Sequence, residues 1–243
     1  MTLLDQQHGH TPMIERLQRA VRWFQAAVVA AIALASENML KLLHDRLHDR
    51  FFASAIVLVV AVVAFKASEA FAEWAIDQSR WLRKRILADH FIEGYWIDKV
   101  QGVAADEALD VYAIIKIKCE RGRYEVSGES FDGTGEPLGN FRCYTSSYSD
   151  FQLRYAYEGI NSRHPESKVE GYGEYHFTPG RVVPVTFSGF IYDSYHAKRV
   201  NLRANKISNR DLLASIDEQV TRKRVIQAFA EGNLQELAKP RPA

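Results

Sequence analysis

Phe51-Phe52-Ala53-Ser54-Ala55-Ile56-Val57-Leu58-Val59-Val60-Ala61-Val62-Val63-Ala64-Phe65 carries no charge, no Gly and no Pro. A helix that crosses a bilayer needs roughly 20 predominantly apolar residues. The run reaches that length from Phe51 to Ala72 if Lys66 and Glu69 stand near one interface, where a lysine stem lies along apolar surface and its ammonium reaches water. Trp74 then falls at the level of an interfacial aromatic belt. A second apolar stretch lies upstream, from Trp23 to Leu40; it is richer in Ala and includes Gln25, Glu37 and Asn38. Together the two stretches predict a transmembrane helical hairpin, with a buried amphipathic helix as the other reading of the first.

The flanks give the hairpin an orientation. Arg16, Arg19 and Arg22 precede the first stretch, and Arg80, Arg83, Lys84 and Arg85 follow the second. The connector mixes Glu37, Asp45 and Asp49 with Lys41, Arg46 and Arg50. Cytoplasmic segments carry the excess of Lys and Arg, so both ends of the hairpin are expected inside and the connector outside. Residues 70–87 continue as a basic amphipathic stalk. The first apolar stretch begins only after about twenty polar and mixed residues, which does not read as a signal peptide.

Composition changes near residue 90. Gly9 and Pro12 are the only Gly or Pro before it, whereas turn residues and most Tyr follow it. The expected domains are 1–90 for the hairpin and stalk, 91–207 for a strand-rich sensor domain and 208–243 for a C-terminal helix. Eight strands are predicted at 92–100, 108–119, 123–131, 138–148, 151–158, 168–177, 185–192 and 198–207. Short links such as Asp132-Gly133-Thr134-Gly135 and Thr178-Pro179-Gly180 separate them. Regular short strands joined by such turns favour an eight-stranded antiparallel up-and-down β-barrel, which removes exposed edges.

Alternation supports this. Val111, Ala113, Ile115, Ile117 and Cys119 share one face, opposite Tyr112, Lys116 and Lys118, with Ile114 breaking the pattern. Phe151, Leu153, Tyr155 and Tyr157 oppose Gln152, Arg154 and Glu158, and Val200, Leu202 and Ala204 oppose Arg199, Asn201 and Arg203. Past residue 208, Leu212, Leu213, Ile216, Val220, Ile226 and Phe229 recur near helical spacing, with Ser208 or Asn209 as a start cap.

The formal net charge is +1, from 31 Lys and Arg against 30 Asp and Glu, which argues against a general binder of nucleic-acid polymers. Cys119 and Cys143 are too few for a disulfide framework. No Cys/His spacing suggests a metal, and no phosphate loop or nucleophile elbow is present, so neither an enzyme nor a cofactor is expected. His44 and His48 read as solvated or interfacial, and Glu125, Glu129, Glu170 and Glu174 as a solvated sheet face. An eight-stranded barrel is filled by side chains or holds one small ligand. Gly128, Gly171, Gly173 and Gly189 fall on the apolar faces, where they either open interior space or let strands bend. Tyr124, Tyr155, Tyr157 and Tyr175 share those faces, as core packing or as stacking surfaces for a nucleobase.

Gly94-Tyr95-Trp96 matches the Gly-x-Trp pattern that opens lipocalin-like barrels. In that family the Trp closes the barrel base, often under an Arg from the last strand, a part open here to Arg199 or Arg203. The arrangement as a whole resembles the membrane effectors of bacterial CBASS antiphage defence, which join two transmembrane helices to a β-strand-rich domain. The likeness covers nearly the full chain as architecture. It implies a cytoplasmic barrel at the bacterial inner membrane that binds a cyclic nucleotide made by a partner cyclase. Binding then drives homo-oligomerisation, membrane disruption and death of the infected cell. On that basis Arg142, Arg154, Arg199 and Arg203 are expected to fork the phosphates, and Tyr124, Tyr155, Tyr157 and Tyr175 to stack the bases. Two rival expectations are a tethered carrier of an apolar ligand and an interaction scaffold that binds no ligand.

Overall fold

The computed structural model describes residues 12–47, 50–101, 111–120, 122–162, 164–180, 183–193 and 199–238. The chain divides into two compact units, one ending at Leu87 and one beginning at Ala88.

The first unit holds α1 (Pro12–Leu47), α2 (Arg50–Gln78) and α3 (Arg80–Leu87). The helical stretches Met13–Leu43 and Phe51–Gln78 are long and apolar enough to cross a membrane, by length and composition. His48 lies outside the described residues. α1 and α2 run antiparallel, with the Phe24 and Phe71 rings 6.0 Å apart. The covered face of α2 is made of small residues: Ala53, Ser68 and Ala72 are buried, and Val57, Ala61 and Ala64 are half-buried between them. Small side chains let two helix backbones approach closely. Phe51, Phe52, Leu58, Val59, Val62 and Val63 point outward and are exposed. That inverts the pattern of a water-soluble hairpin, which would hide its largest apolar groups; a patch of this kind marks a membrane or protein contact.

α2 stops at Gln78 and α3 starts two residues later. Ser79 caps α3 by accepting a hydrogen bond from the Leu82 amide at 3.3 Å. Arg83, buried, donates to the Ile76 carbonyl at 2.9 Å and to that of Asp77, satisfying orphan acceptors at the end of α2. Arg16 of α1 donates to the Leu87 carbonyl at 2.8 Å, which ties the start of α1 to the end of α3.

The second unit opens with a single turn of 3-10 helix at Ala88–His90. Eight strands follow: β1 (Gly94–Gln101), β2 (Val111–Glu120), β3 (Arg123–Asp132), β4 (Pro137–Ser149), β5 (Gln152–Asn161), β6 (His164–Phe177), β7 (Thr186–Asp193) and β8 (Arg199–Ile207). Each pairs antiparallel with its sequence neighbours, and β1 pairs with β8, so the sheet closes into an up-and-down barrel. Gly94 enters β1 at φ +137°, a conformation that a side chain resists. Bulges interrupt the ladder at Ser130/Phe131, Cys143/Thr145 and Ile160/Asn161.

The C-terminal segment is helical, divided by turns into α4 (Arg210–Ala214), α5 (Gln219–Ala230) and α6 (Leu234–Ala238). Asn209 caps α4, its side chain accepting from the Asp211 amide at 3.0 Å. These helices lie on the outer wall of β1–β3. Leu212, Ile216, Val225, Ile226 and Leu237 form one buried cluster with Ile97, Tyr112, Ile114 and Phe131. Ile114 is thus no exception to the alternation. It belongs to an outward face that is apolar because a second layer covers it.

Candidate functional site

Strand parity sorts the predicted residues into two sets. Tyr124, Tyr155, Tyr157 and Tyr175 face the barrel interior and are buried. Arg142, Arg154, Arg199 and Arg203 face outward and are exposed. The wall of the barrel separates the expected stacking surfaces from the expected phosphate forks, so the eight residues do not form one site.

One end of the interior is sealed. Trp96 is fully buried and donates from its indole N–H to the Ile92 carbonyl at 3.0 Å. The Tyr124 hydroxyl donates to the His90 carbonyl at 2.6 Å, and the His90 ring stacks on Phe151 at 4.4 Å. Phe151 sits in the β4–β5 turn at φ +61°, a conformation uncommon for so bulky a residue. The cation over Trp96 comes from β8, but it is Lys206, 4.9 Å from the ring centre and 5.4 Å from that of Phe91. Arg199 lies instead over Phe190 at 4.0 Å on the outer wall, and Arg203 is also outside. The reason is register: Trp96 pairs with Lys206, two residues beyond the inward Ala204.

Halfway along the interior the Tyr155 hydroxyl donates to that of Tyr175, whose ring stacks on Phe187 at 4.3 Å. Burial pushes both phenols well above their ordinary pKa. Asp98 is buried on the same inward face and accepts a hydrogen bond from the Ala113 amide at 3.1 Å. Desolvation pushes its carboxyl up to about 7, with the Ala113 bond opposing. The interior glycines do not leave open space beside these rings. A Cβ at Gly173 would stand 2.4 Å from the Tyr155 ring, at Gly171 2.5 Å from Tyr157, and at Gly128 2.6 Å from Phe141. Each glycine is the seat of an aromatic ring from the neighbouring strand.

The outer wall carries a charged recess. A groove of about 650 Å³ is bounded by residues of β1–β6, by the α4–α5 turn and by Arg222 of α5. Lys116, Arg142, Lys168 and Arg222 line it together with Glu129, Glu158 and Asp217. Arg142 donates from Nε and Nη2 to Glu158 at 3.1 and 3.0 Å, and Arg222 pairs with Glu129. Lys116 lies 5.3 Å from the centre of the Tyr95 ring. The volume falls within the range of small-molecule sites, roughly 300–1,000 Å³. Its lining combines four cations with three carboxylates and the aromatic residues Tyr95 and Phe141.

Of the predicted arginines only Arg142 lines this groove. Arg154 pairs with Glu174 at 2.9 Å, and Glu174 also accepts from Tyr172 and meets His176. Sequence reasoning missed Lys116, Lys168 and Arg222. Lys116 was legible by parity; Arg222 reaches Glu129 only through the packing of α5. Among the described residues, no group of three or more His, Cys, Asp or Glu side chains is arranged to hold a metal.

Comparison of the chain with family models, curated proteins and solved structures finds no significant match.

Proposed function

We propose that this chain is a membrane-anchored signal effector whose barrel binds a cyclic mono- or dinucleotide in the outer groove. Binding drives homo-oligomerisation of the hairpins in the bacterial inner membrane, and the clustered hairpins breach it. The observation that carries the reading is the groove itself: Lys116, Arg142, Lys168 and Arg222 line one recess, with Lys116 over the Tyr95 ring at one side of it. A ligand phosphate takes the place of the Glu158 carboxylate at Arg142, a charge-assisted exchange of like for like. The purine face of the ligand lies against the ring. The groove has one more cation than anion along its lining, so a phosphate-bearing ligand enters with net attraction. On this reading the tyrosines of the interior hold the scaffold rigid and leave contact with ligand to the outer wall.

The test is calorimetry and gel filtration of the full chain in detergent, with a panel of cyclic mono- and dinucleotides. Expected is saturable heat with one member of the panel and a shift to a larger assembly. Arg142→Gln and Lys116→Gln should weaken binding about tenfold each, with the fold retained. Absence of heat and of any shift across the panel defeats the proposal.

A further inference from the structure

The hairpin is layered at the end that holds its two outer flanks. The Phe24–Phe71 ring pair, 6.0 Å between centres, fixes the level at which α1 and α2 run side by side. Next to it lie Trp23 and Trp74, both largely exposed, at 73% and 58%. Arg19 and Arg22 follow toward the start of α1, and Lys84 and Arg85 toward the end of the other arm on α3; all four are exposed. Trp81 stands among them, 64% exposed, with the Arg85 guanidinium 5.7 Å from its ring centre. The order apolar, aromatic, cationic is the order of a bilayer from hydrocarbon to headgroup.

The arrangement is held in place. Arg16 ties α1 to the end of α3 through the Leu87 carbonyl, and Arg83 bonds the carbonyls that end α2. Two of the seven basic residues of segments 12–24 and 73–87 therefore fix the joint, and the same segments contain only three acidic residues, Glu15, Glu73 and Asp77. At the opposite end the exposed Lys41 is neutralised by Glu37 at 2.9 Å.

We infer that this end of the hairpin is a collar for anionic phospholipid headgroups, with Arg19, Arg22, Lys84 and Arg85 meeting phosphate and Trp81 seated at the headgroup boundary. The occupant is the lipid surface, because the cations continue an apolar face long enough to enter the bilayer and carry charge opposite to an anionic leaflet. The collar rests on the membrane-anchored reading of the hairpin, and it gives that anchor a choice of lipid.

The experiment uses the full chain expressed in bacteria, extracted in mild detergent and placed in nanodiscs containing phosphatidylglycerol and phosphatidylcholine with identical acyl chains. Lipid retained on release is counted by native mass spectrometry. Expected is enrichment of phosphatidylglycerol that falls about fivefold for each cation removed, and on the order of a hundredfold in the Arg19→Gln, Lys84→Gln, Arg85→Gln variant. High salt should erase the enrichment, and inorganic phosphate at matched ionic strength should not compete for it. The far-ultraviolet dichroism of the variant reports that the barrel is intact. Equal retention of both lipids by a chain that resists carbonate extraction overturns the collar and leaves the anchor standing. A chain that carbonate releases overturns both.

Discussion

The two faces of the barrel wall are built from the same strands and do opposite work. Inward, from Trp96 and Asp98 through Tyr155 and Tyr175, nearly every side chain is buried against another. Outward, Arg142, Lys116 and Lys168 stand one residue away in sequence from that core and line a groove open to solvent. The period of two puts the packed core and the proposed binding groove on alternate residues, so changes on one face should leave the other nearly untouched.

The largest effect expected is from Trp96→Ala. It removes a fully buried ring that meets Phe177, Phe187 and Lys206, and should lower stability by about 3–5 kcal/mol in chemical denaturation. A change under 1 kcal/mol would mean that the interior is not the packed face.

Asp98 gives the interior a dependence on pH. Its ordinary value is 3.8 and burial raises it to about 7 in the fold, so between those values the folded chain keeps a proton that the unfolded chain has released. Its contribution is complete below about pH 4 and is lost as the pH rises through about 7. Wild type should thus lose on the order of 3–4 kcal/mol relative to Asp98→Asn across that window. Parallel pH–stability curves for the two proteins would break the assignment.

Gly173→Ala places a methyl against the Tyr155 ring and should cost about 1–3 kcal/mol by overpacking, read as a drop in melting temperature. Unchanged melting would show that the ring can swing away and that the interior has room for a ligand after all. The smallest stability effect belongs to Arg142→Gln. Its ion pair with Glu158 is exposed, so melting should stay within about 0.5 kcal/mol of wild type while nucleotide binding falls. Loss of stability without loss of binding would reverse the division between the faces.

The strands were legible because Ile115, Ile117, Leu153, Val200 and Leu202 alternate with charged neighbours, and the helical hairpin because the Phe51–Phe65 run has no charge. Lys206 was equally legible: the parity that sends Val200, Leu202 and Ala204 inward sends it inward too, under Trp96. The bulge at Cys143/Thr145 is different, because it resets parity within β4 and brings Tyr148 inward, and nothing in the local sequence marks it. The groove was not legible, since its rim needs Ile216 from the α4–α5 turn and Arg222 from α5, far away along the chain from the strands they cover. The eight expected residues divide between the two faces for a simpler reason: the tyrosines and arginines occupy strand positions of opposite parity.

Closure of the ladder between β1 and β8 has a further consequence. A sheet without a free rim offers no row of unpaired amides and carbonyls to a neighbouring molecule, so copies of this domain cannot zip together strand to strand. Crowded side by side, they remain separable units. Whatever joins them must work through side chains, through a bridging small molecule or through the oily rods, and each of those bonds can be undone without unravelling a single barrel.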